Sequence, residues 1–141
     1  MTTFLNTDLD VVSDRDLTVL VDAFARGGVV HALCDAERGD DGEWSMTFEA
    51  FASPHTPEST TRAQHDAIEA LDGPARDLWL ACRMRAIDLG FEAGTVERVH
   101  AELSPDTVAR VAAAGLAIRV TIYPALMESA SPSASGSRSS S

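Results

Sequence analysis

Residues Glu43 to Ala50 alternate without exception, and that pattern constrains the rest of the chain. Trp44, Met46, Phe48 and Ala50 point one way, and Glu43, Ser45, Thr47 and Glu49 the other. Successive strand side chains face opposite sides, so this stretch is a strand with one dry and one wet face. It reads as the second arm of a hairpin over 29–51. On the first arm, Val30, Ala32, Cys34 and Ala36 share one face, and His31, Asp35 and Glu37 share the other with Val29 and Leu33. Between the arms, Arg38-Gly39-Asp40-Asp41-Gly42 supplies glycines for positive φ and aspartates that bond locally to backbone.

Taken in order, residues 3–12 predict a first strand, with Leu9 and Val11 opposed to Asp8, Asp10 and Val12. Ser13 is the expected cap of a helix whose stripe is Leu17, Leu20, Val21 and Phe24, closed by Gly27-Gly28. After the hairpin, 52–59 reads as a loop. A helix follows from Thr60 to Leu71, with Ser59 as cap and Ala63, Ala67, Ile68 and Leu71 inward. Gly73-Pro74 interrupts it, and Ala75, Leu78, Trp79 and Cys82 mark a further short helix. A strand over 83–92 puts Arg85, Ile87, Leu89 and Phe91 on one face, the Arg85 head reaching water at the edge. Residues 96–103 form a short strand or an extended connection. Ser104-Pro105-Asp106 starts a last helix with Val108, Val111 and Ala112 inward. Leu116 to Tyr123 is the last strand, with Ile118, Val120 and Ile122 opposed to Arg119, Thr121 and Tyr123.

Strand, helix, strand, strand, helix, strand is the order of a ferredoxin-like split βαβ sheet. The expected fold is therefore α+β, with a C-terminal helix-strand addition and helices mainly on one face. The expected domain is 1–127, followed by a Ser-rich, disordered tail over 128–141 that has almost nothing apolar to bury. The other sheet face would stay in water. It would carry Asp8, Asp10, His31, Asp35, Glu37, Glu49, Asp88, Arg119 and Tyr123.

Charge then bears on function. Of 141 residues, 22 are acidic and 11 basic, a net charge of −11. This argues against a nucleic-acid footprint, which needs clustered basic residues, and favours a basic protein partner. Cys34 and Cys82 read as buried thiols, and a disulfide requires their two faces to meet. There is no charged-then-apolar leader and no long apolar run, so the expectation is a soluble, cytoplasmic protein without a membrane segment.

Catalytic signatures are absent from the sequence. It has no Gly-rich phosphate loop, no His-Glu-x-x-His, no Cys-x-x-Cys and no Gly-x-Ser-x-Gly. Asp35 to Glu43 lacks the ligand alternation of a calcium loop and reads as a solvated turn. No catalytic residue, metal ligand or cofactor is nominated. His55, His65 and His100 read as surface histidines. His31, Asp88, Arg119 and Tyr123 would form a polar cluster on the wet face if their strands lie together.

The run from Leu103 to Thr107, with Val108, Val111, Gly115 and Ile118 to Pro124, resembles the ending of a group of small bacterial domains of unknown function. Those domains often carry a segment similar to Arg85-Ala86-Ile87-Asp88-Leu89-Gly90-Phe91-Glu92. The resemblance implies no catalytic residues. By size and charge the chain is also similar to immunity proteins found beside bacterial toxins.

The functional expectation is a non-enzymatic module that binds a basic protein, such as an inhibitor of a basic toxin. Asp35, Glu37, Asp40, Asp41, Glu49, Asp88 and Tyr123 are its candidate contact residues. The alternative is a small-molecule binder or small enzyme with a pocket near Trp44 and Trp79. Self-association through the open face is a third reading.

Overall fold

A computed structural model describes residues 3–33, 35–94 and 100–124. They form an α+β structure with a six-stranded mixed sheet and four helices. The strands are β1 (Thr3–Ser13), β2 (Val30–Ala32), β3 (Glu37–Arg38), β4 (Trp44–Ala50), β5 (Met84–Glu92) and β6 (Ala117–Tyr123). The helices are α1 (Thr18–Gly27), α2 (Pro57–Glu69), α3 (Gly73–Ala81) and α4 (Pro105–Ala113). The sheet order is β2-β4-β1-β5-β6, with β3 also paired to β4. All neighbours are antiparallel except β5 and β6. The connections from β1 to β2 and from β4 to β5 therefore each skip one strand. The α4 connection instead lays β6 directly beside β5.

The alternation on β4 is realised as expected: Met46, Phe48 and Ala50 are buried against the helices. The first hairpin arm is broken. Five steps from Ala32 to Glu37 face three from Phe48 to Ser45. Two extra residues preserve the side-chain parity, so both pieces keep their faces.

Helix α1 starts later than Ser13 predicts. Ser13 is the buried last residue of β1, and its Oγ accepts from the Arg15 N–H at 3.1 Å. Asp16 makes the local bonds instead, accepting from the Thr18 N–H at 2.8 Å and the Thr18 hydroxyl at 2.6 Å. Leu17, Leu20 and Phe24 are buried, and Phe24 sits edge-on to Phe48 at 4.9 Å. Each such side chain contributes roughly 1.5–3 kcal/mol before entropy is subtracted. They join Leu9, Val11, Ile68, Trp79 and Ile87 in one core on the helix side of the sheet.

Helix α2 corrects two expectations. Its cap is Thr56, in a reciprocal capping box with Ser59, and Pro57 holds the first turn. Its buried residues are Thr60, Thr61, Gln64, His65 and Ile68, while Ala63 and Ala67 are half-buried. Two polar groups on this face find partners on β1. Thr60 and Thr7 share a hydroxyl hydrogen bond of 2.8 Å, and Gln64 Nε2 donates to the Thr7 carbonyl at 2.5 Å. His65 is thus buried rather than superficial.

Helix α4 is capped by Ser104, which accepts from the Thr107 N–H at 3.2 Å. Glu58 of α2 reaches the same turn. It accepts from the Ser104 N–H at 2.8 Å, the Ser104 hydroxyl at 3.0 Å and the Thr107 hydroxyl at 2.7 Å. Val111 is buried, but Val108 is 42% exposed and Ala112 is exposed, against expectation. The reason is position: α4 packs beside the outermost strands, where little of the sheet remains to be covered.

The Arg85 head also differs from expectation. It lies over the Trp79 ring, 5.4 Å from its centroid, and Nη1 donates to the Trp79 carbonyl at 3.2 Å. Cys82 is a free buried thiol, and Cys34 lies outside the described residues. Residues 100–104 have no regular structure. The remainder of the 96–103 segment and the Ser-rich tail lie outside the described residues. Among the described residues no helix is long and apolar enough to cross a membrane.

Candidate functional site

Strand register builds one row of charges across the open face. His31 pairs with Glu49, Glu49 with Asp8, Asp8 with Asp88, and Asp88 with Arg119. The row crosses all five strands of the main path. Three carboxylates stand side by side at its centre, and like charges directly opposite each other are destabilising. Two residues along β1, Asp10 adds a fourth on the same face.

The flanking acids have donors. Asp10 accepts from Thr47 Oγ1 at 2.9 Å and from Arg119 Nη1 at 2.9 Å. Asp88 accepts from Thr121 Oγ1 at 2.7 and 2.9 Å, and from Arg119 Nη1 at 3.3 Å. Asn6 Nδ2 donates to Glu49. Asp8 is the exception: its Oδ1 is buried and has no hydrogen-bond partner among the described residues. Burial first, then the charges of Asp10, Glu49 and Asp88, push the Asp8 carboxyl up to about 6. A carboxyl so raised is half-protonated at about pH 6, and its ionised form gains from any cation that docks beside it. A titratable group perturbed by burial together with named charge neighbours is a functional-site candidate.

The nominated contact residues separate into two groups. Glu49 and Asp88 are in the row, and Tyr123 lies near it. A Cβ at Gly90 would come within 3.5 Å of the Tyr123 ring and 3.3 Å of Asn6 Oδ1. Asp35, Glu37, Asp40 and Asp41 are exposed on the far arm and turn of the hairpin. Asp41 Oδ1 is used there, accepting from the Glu43 N–H at 3.0 Å. The cluster of His31, Asp88, Arg119 and Tyr123 does not assemble as one group. Asp88 and Arg119 touch, but His31 sits at the other end of the row, about 19 Å away at four strand spacings. A His oriented by Asp88 for acid–base work is therefore not what this face provides.

Asp8 and Asp10 were legible as wet-face residues, but not as the centre of the site. Their importance comes from β1 lying between β4 and β5, which local alternation does not encode. Among the described residues no three His, Cys, Asp or Glu side chains are placed to hold a metal ion. The acidic row is thus an open strip rather than a chelate.

Two surface cavities lie on the helix side. One of about 510 Å³ is lined by Phe24, Arg26, Val30, Ala67 and Leu71 among others. The other, of about 290 Å³, is lined by Leu89, Phe91, Leu103, Val120 and Ile122 among others. Neither is lined by Trp44 or Trp79, and Trp79 is buried in the core.

No protein-family model, curated protein or solved structure matches the chain.

Proposed function

We propose that this chain is a non-enzymatic binding module that meets a basic protein with the open face of its sheet. The observation that carries this reading is the Glu49–Asp8–Asp88 row, with Asp8 lacking a donor. A guanidinium or ammonium group from a partner would supply it. The net charge of −11 adds long-range attraction to a cationic surface. The finer form of the proposal is an inhibitor of a basic toxin or nuclease, in the manner of an immunity protein.

The test uses arginine-rich peptides as probes on the full chain. Association is expected to slow by about tenfold or more as salt rises from low to several hundred millimolar. Asp8→Asn and Asp88→Asn should each weaken binding several-fold, while Asp40→Asn should have little effect. Association insensitive to salt, or to both row variants, would refute the reading.

A second reading, small-molecule binding, is favoured by the cavity of about 510 Å³ between α1 and α2. That exceeds the roughly 300 Å³ of a small ligand pocket. Its lining is mainly apolar, with Arg26, Asp66 and Asp72 among the residues around it.

A further inference from the structure

Strand β6 is the end of the sheet order, and among the described residues nothing pairs with its outer edge. Open edges are usually protected by charge, proline or a bulge. β6 has none of these in a usable form. Its register against β5 runs unbroken from Ala117 to Tyr123. Its one charged side chain, Arg119, is held by Asp10 and Asp88 of its own sheet. Pro124 comes only after the strand ends. On the helix side Ile118, Val120 and Ile122 are 45%, 57% and 63% exposed.

The pattern is symmetric about Val120. If a second β6 ran antiparallel through a two-fold axis at that residue, Val120 would face Val120, and Ile118 would face Ile122 twice. On the other face Arg119 would meet Thr121, and Ala117 would meet Tyr123. No carboxylate would oppose another, because Ala117 to Tyr123 contains no acid. In a chain of net charge −11, this edge is a surface that a second copy can approach without opposed acids.

We propose that two copies of this chain associate edge to edge through β6, antiparallel about Val120, forming one continuous twelve-stranded sheet. The contact is isologous and closes on itself. Seven residues at about 3.3 Å each make a contact roughly 23 Å long. That is small beside the roughly 800 Å² per partner of a stable interface, so dissociation in the range of about 10–100 µM is expected. This proposal is independent of what binds the acidic face.

Sedimentation velocity on the full chain tests it. The expected mass rises from 15.0 kDa toward twice that value over about 5 to 500 µM. Val120→Lys and Val120→Glu should each remain monomeric, since the residue faces itself. Mixing the two should restore the dimer, because the register sets Lys against Glu. Hydrogen exchange of the β6 amides should slow with concentration in the wild type but not in either variant alone. A mass that stays at 15.0 kDa throughout would overturn the proposal, whether the edge is covered by the chain's own residues 125–141 or reserved for another protein. A dimer that survives Val120→Lys, or a mixture that fails to associate, would overturn it too.

Discussion

Asp8 faces Asp88 directly across β1 and β5, yet only Asp88 is supplied with donors, from Thr121 and Arg119. Two carboxyls in register with unequal partners divide the work. Asp88 is held by hydrogen bonds, and Asp8 is left to gain or lose a proton at about pH 6. The first consequence concerns stability. A carboxyl whose folded pKa is raised from 3.8 to about 6 favours the folded state only while protonated. Stability should therefore decline as pH rises from about 4 through 6. Because the group is partly solvated, about 1–2 kcal/mol is the expected size. Asp8→Asn should remove the decline, and urea unfolding at pH 4.5 and pH 8 would show it. Identical pH dependence in the variant would refute the assignment.

Arg119 is the one guanidinium ion-paired to Asp10 and Asp88 among the described residues. Arg119→Gln should lower stability by about 0.5–1 kcal/mol, as expected for a partly exposed pair. The same change should strengthen binding of an arginine-rich peptide several-fold, because two carboxylates lose their internal cation. Peptide titration against a folded, slightly destabilised variant would show both effects with opposite signs. Weaker peptide binding would mean that Arg119 positions the acids rather than competing for them.

Gln64 is fully buried between α2 and β1, with Nε2 on the Thr7 carbonyl. Gln64→Ala should cost about 2–3 kcal/mol through a cavity and a lost hydrogen bond. Gln64→Met, which keeps the volume, should cost about 1 kcal/mol. Denaturant midpoints at fixed pH distinguish the two terms. Equal losses in both variants would show that packing contributes little at this position.

Gly115 joins α4 to β6 at φ +75°, and a Cβ there would fall 2.9 Å from the Arg85 guanidinium. Gly115→Ala should cost about 1–2 kcal/mol from backbone strain and displacement of Arg85 from the Trp79 ring. Thermal unfolding together with tryptophan fluorescence would report both. A neutral substitution would show that the turn relaxes.

Much of this fold is written locally. Alternation located β1, β4 and β5, and the Leu17–Phe24 stripe located α1, because one face of each lies against the core, whereas β6 alternates although both its faces are largely exposed. Helix α2 was harder to orient. An apolar stripe through Ala63 and Ala67 looks inward, but its buried face is Thr60, Thr61, Gln64 and His65. Thr60 and the Gln64 amide nitrogen are matched by Thr7, more than fifty residues away, and no local pattern announces such a match. The site was partly legible for the same reason. Strand parity placed Asp8, Glu49 and Asp88 on the wet face, but only long-range pairing sets them shoulder to shoulder. His31 and Arg119 were separated by that pairing, although parity put them on one side. Val108 was misread because periodicity marks an apolar face without saying whether any sheet lies beneath it.

Glu58 of α2 clasps the first turn of α4 with both carboxylate oxygens. Hydrogen bonds from the Thr107 hydroxyl and the Ser104 N–H hold its carboxyl below the usual range. Such a group stabilises the fold above its unfolded pKa, and the benefit fades as pH falls through the folded one. The clasp is thus an acid-labile latch: strong acid should free α4, and β6 behind it, before the central strands give way.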